Sequence, residues 1–194
     1  MIISFDVLNF FMASSDIIEK VRHYLGSEPV PKIDPNTQAP NPRESAPLTI
    51  RNTILPAVLV GFYKHTRNEK QAAELMNEND SETILNTLFA DRKNDIIRSI
   101  SANTSSPEDA VQAEMINSVS AVKKVLHEEI KNPDGKSVNA FFTAQRSDIL
   151  KHLPPELNMG ELMMDSSVDD RTNKMEGPMS NMMHSVEKIF SSTK

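Results

Sequence analysis

The chain has 194 residues, a length typical of one domain or of one domain with a tail. Its net charge of −6 disfavours non-specific binding to nucleic acid or anionic lipid, because both require a positive protein surface. It contains no cysteine, so disulfides, thiolate metal sites and thiol nucleophiles are excluded. Aromatic residues make up only 5%, which predicts a core built from aliphatic and methionine side chains.

The N-terminal sequence Met1–Asp6 has no basic region and does not predict a signal peptide. The longest apolar run, Ile54–Tyr63, is about half of the ~20 residues that a membrane-spanning helix requires. We therefore expect no transmembrane helix and a cytoplasmic location.

The first helical pattern covers residues 5–25, and Gly26 follows it as a C-cap. Ser14 or Ser15 is a candidate cap for a second helix within this segment. Six prolines in residues 26–47 exclude a helix and predict a long extended loop, either an ordered strap or a linker. The helical face is formed by Ile17, Ile18, Val21 and Leu25.

The central element is an apolar helix over residues 48–67 with Pro56 in its interior. An internal proline costs a helix roughly 3 kcal/mol. Each large apolar side chain contributes about 1.5–3 kcal/mol when it is fully buried. Burial therefore outweighs the proline, and we predict one kinked helix in contact with its neighbours on most sides. The apolar side chains concerned are Ile54, Leu55, Val58, Leu59 and Phe62.

Two serines and one turn sequence mark predicted helix boundaries in the rest of the chain. Ser81 is predicted to cap one helix, and Ser106 to cap another with Pro107 as its first residue. Asn132–Gly135 predicts a type I turn, and Pro154–Pro155 ends the last helix of the bundle. The predicted helices cover residues 68–76, 81–89, 91–101, 107–131 and 137–153.

Together these patterns predict an all-α fold, an irregular bundle of roughly seven to nine helices. Two patterns recur along it, and either an internal duplication or the chance recurrence of common helical sequences accounts for them. Asp16-Ile17-Ile18 with Val21 recurs as Asp95-Ile96-Ile97 with Ile100, and Ile84-Leu85 with Leu88 recurs as Ile149-Leu150 with Leu153.

The segment Thr53–Gly61 resembles the core helix of the YidB-like domain, a bacterial family of unknown function. The Asp16–Ile18 and Ile149–Pro154 segments are also similar to that family, and the resemblance covers about residues 5–164. The chain departs from the family in having only five glycines. The resemblance implies an all-helical bundle, and it implies no activity, ligand or catalytic residue.

The composition changes after Pro155, since seven of the 11 methionines lie from Met159 onward. We predict a helical bundle domain over residues 1–164, then a polar linker and a C-terminal amphipathic helix within 165–194. Methionine suits adaptable binding surfaces, so this helix is expected to dock on its own domain, on a second copy or on another protein. Its candidate partner-binding face is Met182, Met183, Val186, Ile189 and Phe190.

The search for chemistry finds no catalytic, cofactor-binding or metal-binding residue. The five histidines are scattered and are expected at the surface or at helix ends. Glycine-rich phosphate loops and nucleophile elbows are absent from the sequence. Residues 165–176 match the ligand spacing of a calcium loop, but Asp170 stands where that loop requires glycine, so we interpret the segment as a linker. Basic pairs such as Lys123-Lys124 are interpreted as solvated faces.

These observations favour a non-enzymatic protein-interaction or structural domain. A protein partner or a homo-oligomer is expected, and nucleic acid is not. The alternative is an enzyme with an unrecognised carboxylate or histidine site. A deep cleft with converging titratable groups would favour the enzyme, whereas an exposed apolar groove would favour the binding protein.

Overall fold

A computed structural model describes residues 16–30, 32 and 49–168 of the chain. Over these ranges the fold is all-α and contains no strand, which confirms the predicted fold class. Three short 3₁₀ turns, Ala90–Arg92, Pro155–Leu157 and Ser166–Val168, accompany the α-helices in this part of the chain. The α-helices are α1 (Ile17–Leu25), α2 (Ile50–Thr66), α3 (Glu69–Asn77), α4 (Ser81–Phe89), α5 (Lys93–Thr104), α6 (Glu108–Glu129), α7 (Gly135–Lys151) and α8 (Met159–Leu162).

Helix α2 is the centre of the bundle and contacts all of helices α1 and α3–α7. Every residue from Thr53 to Tyr63 is buried, so this helix has no solvent-facing side over three turns. It continues through Pro56 as one helix, as the sequence predicts. The large apolar side chains around Pro56 are fully enclosed, and their burial offsets the hydrogen bond that the proline removes.

The predicted helix caps at Ser81 and Ser106 are each wrong by one residue. Asp80 caps α4, because its carboxylate accepts hydrogen bonds from the Thr83 amide at 2.8 Å and from the Thr83 hydroxyl at 2.6 Å. A carboxylate at this position is also stabilised by the helix dipole. The Ser106 hydroxyl instead donates to the Thr104 carbonyl at 3.3 Å, and Pro107 is the capping residue before α6.

Aspartates also cap the N-termini of α1 and α7. The Asp16 carboxylate accepts from the Ile18 amide at 3.0 Å, so α1 is capped by Asp16 rather than by a preceding serine. Asp134 caps α7 by accepting from the Ser137 amide at 2.7 Å, and Gly135 is therefore helical instead of closing a type I turn. The predicted C-cap of α1 is confirmed, since Gly26 adopts the left-handed conformation with φ 59°.

Gly135 allows α7 to begin against the start of α3. A Cβ atom at Gly135 would lie 1.8 Å from the backbone oxygen of Glu69, a distance at which atoms overlap. The two helix N-termini therefore approach closely only because this residue has no side chain. This approach fixes the start of α7 beside α3.

The chain after α8 remains attached to the bundle as far as the structure describes it. Arg67 pairs with Asp165 at 2.7 Å, and the Arg146 side chain donates to the Ser167 carbonyl at 2.9 Å. Val168 is completely buried. Residues 165–168, which the sequence assigns to the linker, thus pack on the helical domain, and the boundary at residue 164 stays a prediction.

Several predicted features lie outside the described residues. They are the helix before residue 16, most of the proline-rich loop 26–47 and the C-terminal helix over residues 179–191. The candidate partner-binding residues Met182, Met183, Val186, Ile189 and Phe190 belong to the last of these. In the ranges that are described, no helix has the length and apolar character needed to cross a membrane.

Candidate functional site

A polar groove runs along one face of α6, between this helix and the end of α1. Two adjoining clefts form it, with volumes of about 280 Å³ and about 430 Å³. The clefts share Tyr24, Ser120 and Lys124 as walls. We refer to the two clefts together as the α1–α6 groove.

Helix geometry explains why α6 supplies the floor of the α1–α6 groove. Its lining residues recur at intervals of three and four, which places them on one face of the helix. From Glu114 to Glu128 this face covers 14 residue-to-residue steps, and a rise of 1.5 Å per step gives it a length of about 21 Å. The residues at this spacing are Glu114, Asn117, Ala121, Lys124 and Glu128.

Tyr24 stands at the rim of the groove and is 46% exposed. Its hydroxyl donates a hydrogen bond to the Glu128 carboxylate, and this bond, with lesser contributions from burial and from the charge of Glu128, raises the pKa of Tyr24. An ion pair between Lys20 and Glu129 holds the same two helices together. The ring of Tyr24 is therefore positioned as an aromatic contact point open to solvent.

The charges of the groove are unequally compensated. Arg51 pairs with Glu114 at 3.1 Å, and the Tyr24 hydroxyl bonds to Glu128, so both acidic side chains of the groove have partners. Lys124 and His127 make no hydrogen bond or ion pair with the residues that the structure describes. The lining contains more cations than carboxylates, so its formal charge is positive although the whole chain is acidic; the cations are Arg51, Lys123 and Lys124, and the carboxylates are Glu114 and Glu128.

Lys123 lies at the floor of the second cleft and is 92% buried, as its exposed fraction is 8%. Its ammonium donates to the carbonyl oxygens of Leu75 at 3.1 Å, Met76 at 2.7 Å and Glu78 at 2.7 Å. These carbonyls lie at the end of α3, where a helix leaves its last carbonyls without intrahelical donors. Lys123, which belongs to α6, thus caps the C-terminal end of α3.

The prediction that Lys123 belongs to a solvated face is wrong. Lys123 lies four residues after the buried Val119 and three before the buried Leu126, and this helical spacing indicates that Lys123 is buried as well. Burial lowers the pKa of the Lys123 amine, and the nearby Glu78 charge opposes this shift. A neutral amine has only two N–H donors, so three carbonyl acceptors favour the ammonium.

His152 is also buried, with an exposed fraction of 2%, whereas the sequence predicts histidines at the surface or at helix ends. It does end α7, but its Nε2 atom faces Asp16 Oδ2 at 3.7 Å. The proximity of His152 is the largest cause lowering the pKa of Asp16; the Ile18 amide acts in the same direction and burial opposes both. Gln145 completes this contact by accepting from the Ile17 amide at 3.4 Å.

The Asp16–His152 contact holds the start of α1 on α7. The face of α7 that forms it follows helical spacing, since Gln145, Ile149 and His152 are all buried. Because the imidazole is enclosed, a substrate has no direct access to it. We therefore assign this carboxylate–histidine pair a structural role.

No group of three metal-ligating side chains gathers at one place in the described residues. Two positions of the calcium-like spacing are described, and they bond to each other, with the Ser167 hydroxyl donating to Asp165 Oδ1 at 2.6 Å. Arg67 contacts both side chains. The other positions of that spacing, residues 169–176, lie outside the described part.

No protein-family model, curated protein or solved structure matches this sequence. The resemblance to YidB-like domains and the internal duplication therefore stay predictions. The candidate site is defined by its own geometry alone. Sequence reasoning had not singled out Tyr24, Ser120 or Lys124 as site residues, because the groove is formed by helices that are distant in the sequence.

Proposed function

We propose that this chain is a non-enzymatic protein-interaction domain and that the α1–α6 groove is one of its contact surfaces. The observation that carries the proposal is the groove itself, about 21 Å long on α6, with a half-exposed tyrosine at its rim. Tyrosine is enriched where proteins bind one another, because its ring buries a large area and its hydroxyl bonds to polar groups.

Binding is favoured over catalysis by the roles of the buried titratable groups. Lys123 uses its three donors on backbone carbonyls, and His152 and Asp16 join α1 to α7. Each of these groups has a structural task that accounts for its burial. The alternative of an enzyme with a carboxylate or histidine site gains no support from the Asp16–His152 pair, because the enclosed imidazole gives a substrate no direct access.

The C-terminal residues form a second proposed contact surface. Met182, Met183, Val186, Ile189 and Phe190 share one face at helical spacing in the sequence, and such a face requires a covering surface. This proposal rests on the sequence pattern. A second copy of the chain or another protein would serve as the partner.

Quantitative capture of host proteins tests the groove. We would compare the full chain with Ser120→Tyr, which fills the wall shared by both clefts, and with Ala102→Tyr. Ala102 is exposed on α5 and lines neither cleft, so it controls for adding a surface tyrosine. We expect at least one protein that is captured by the full chain and by Ala102→Tyr and lost with Ser120→Tyr.

An identical set of captured proteins in all three experiments would contradict binding through the groove. Circular dichroism melts of the two variants verify that each remains folded. The C-terminal surface is tested separately with Ile189→Asp, and Ser192→Asp serves as its charge-matched control. Loss of a partner only with Ile189→Asp would support that second surface.

A further inference from the structure

We infer that the α1–α6 groove binds an acidic peptide segment of a partner protein, with the peptide carboxylates beside Lys124 and His127. This inference rests on the proposed function and specifies the chemistry of the partner. It follows from the charges, the dimensions and the hydrogen-bonding groups of the groove.

The charges of the groove select an acidic ligand. Glu114 is paired with Arg51, and Glu128 accepts a hydrogen bond from Tyr24, so both acids already have a partner. Lys124 lines both clefts without a partner among the described residues, and His127 lines the second cleft in the same state. An incoming carboxylate would pair with the Lys124 ammonium and accept a hydrogen bond from the His127 imidazole. A basic peptide would instead compete for acids that are already bonded.

The dimensions of the groove suit an extended peptide. A length of about 21 Å on α6 accommodates about six residues at roughly 3.3 Å per residue. Asn117 and Ser120 lie along this path and offer side-chain groups to a peptide backbone. Tyr24 provides an aromatic surface beside it. The net charge of −6 repels acidic chains from the rest of the surface, so binding is expected to be confined to the groove.

The test is a two-dimensional ¹H–¹⁵N NMR titration of the full chain with a hexaglutamate peptide at low salt. We expect progressive shifts of the amides of Ser120, Lys124 and His127. Lys124→Glu reverses the unpaired charge and is expected to weaken binding at least tenfold. Lys70→Glu makes the same charge change on an exposed residue of α3 outside the groove and is expected to leave binding unchanged.

Raising the ionic strength should weaken the binding of hexaglutamate, because exposed charges are screened by salt. His127→Gln provides a second, milder variant, and we expect it to weaken binding less than Lys124→Glu does. Equal weakening by Lys124→Glu and Lys70→Glu would show that only the net charge matters and would overturn the inference.

Three other results would also overturn it. Groove amides that shift with hexalysine and not with hexaglutamate would identify a basic partner. Groove amides that shift on dilution of the protein alone would identify a second copy as the occupant. If hexaglutamate shifts no groove amide while Ser120→Tyr loses a captured partner, the acidic peptide is rejected and the proposed function is retained.

Discussion

Replacing Lys123 with methionine would test whether one buried ammonium stabilises the fold by capping the C-terminal end of helix α3. The substitution keeps the length and apolar stem of the side chain and removes the donors to Leu75, Met76 and Glu78. Hydrogen bonds from a charged donor stabilise a fold by about 1.5–3 kcal/mol each. Burying an ammonium costs several kcal/mol and opposes this gain. We therefore expect Lys123→Met to lower the free energy of unfolding by about 2–4 kcal/mol.

Urea unfolding followed by circular dichroism measures this change. Lys124→Met is the matched control, because Lys124 is the exposed neighbour on the same helix and an exposed substitution of this kind changes stability by at most about 0.5 kcal/mol. Equal midpoints for the two variants would refute the reasoning. In that case, water would satisfy the three carbonyls as well as the ammonium does.

Three further substitutions test the core, a helix contact and a helix cap. Leu59→Ala should destabilise the fold by about 2–5 kcal/mol, because Leu59 is fully buried, and a loss below half a kcal/mol in urea would show that α2 is not the core. Gly135→Ala should lower stability by about 1–3 kcal/mol or more in thermal melts, because its Cβ would overlap the Glu69 carbonyl; an unchanged melting temperature would contradict this contact. Asp16→Asn keeps a capping oxygen and removes the charge, so it should cost about 1 kcal/mol at neutral pH. Because the folded pKa of Asp16 is lowered, its contribution is present above pH 3.8 and declines as pH falls through the folded pKa, and unfolding curves of the two proteins should converge there.

Periodicity predicted the helices well because apolar spacing reports directly on burial. The pattern around Ile96, Ile97 and Ile100 gave α5, and the continuous apolar run gave the fully enclosed α2. Helix starts were less predictable, since several polar residues compete for each cap. Asp80 rather than Ser81 caps α4, because its carboxylate accepts hydrogen bonds from both the amide and the hydroxyl of Thr83.

The candidate site was less predictable than the fold, because its residues come from separate helices. Neighbouring lysines in the sequence point about 100° apart on a helix, so Lys123 faces the end of α3 while Lys124 faces solvent. Helical spacing could have indicated that Lys123 is buried, but it does not reveal which carbonyls the ammonium meets. Tyr24 and Lys124 share a groove only after α1 packs on α6.

The enclosure of α2 has a consequence for hydrogen exchange. Local opening of a helix exposes its amides only if the helix can separate from its neighbours, and α2 would have to leave six other helices at once. Amide protons between Ala57 and Tyr63 should therefore exchange with solvent only when the whole domain unfolds. Their exchange rates would provide an internal measure of the global free energy of unfolding, against which partial opening of any peripheral helix could be compared in a single experiment.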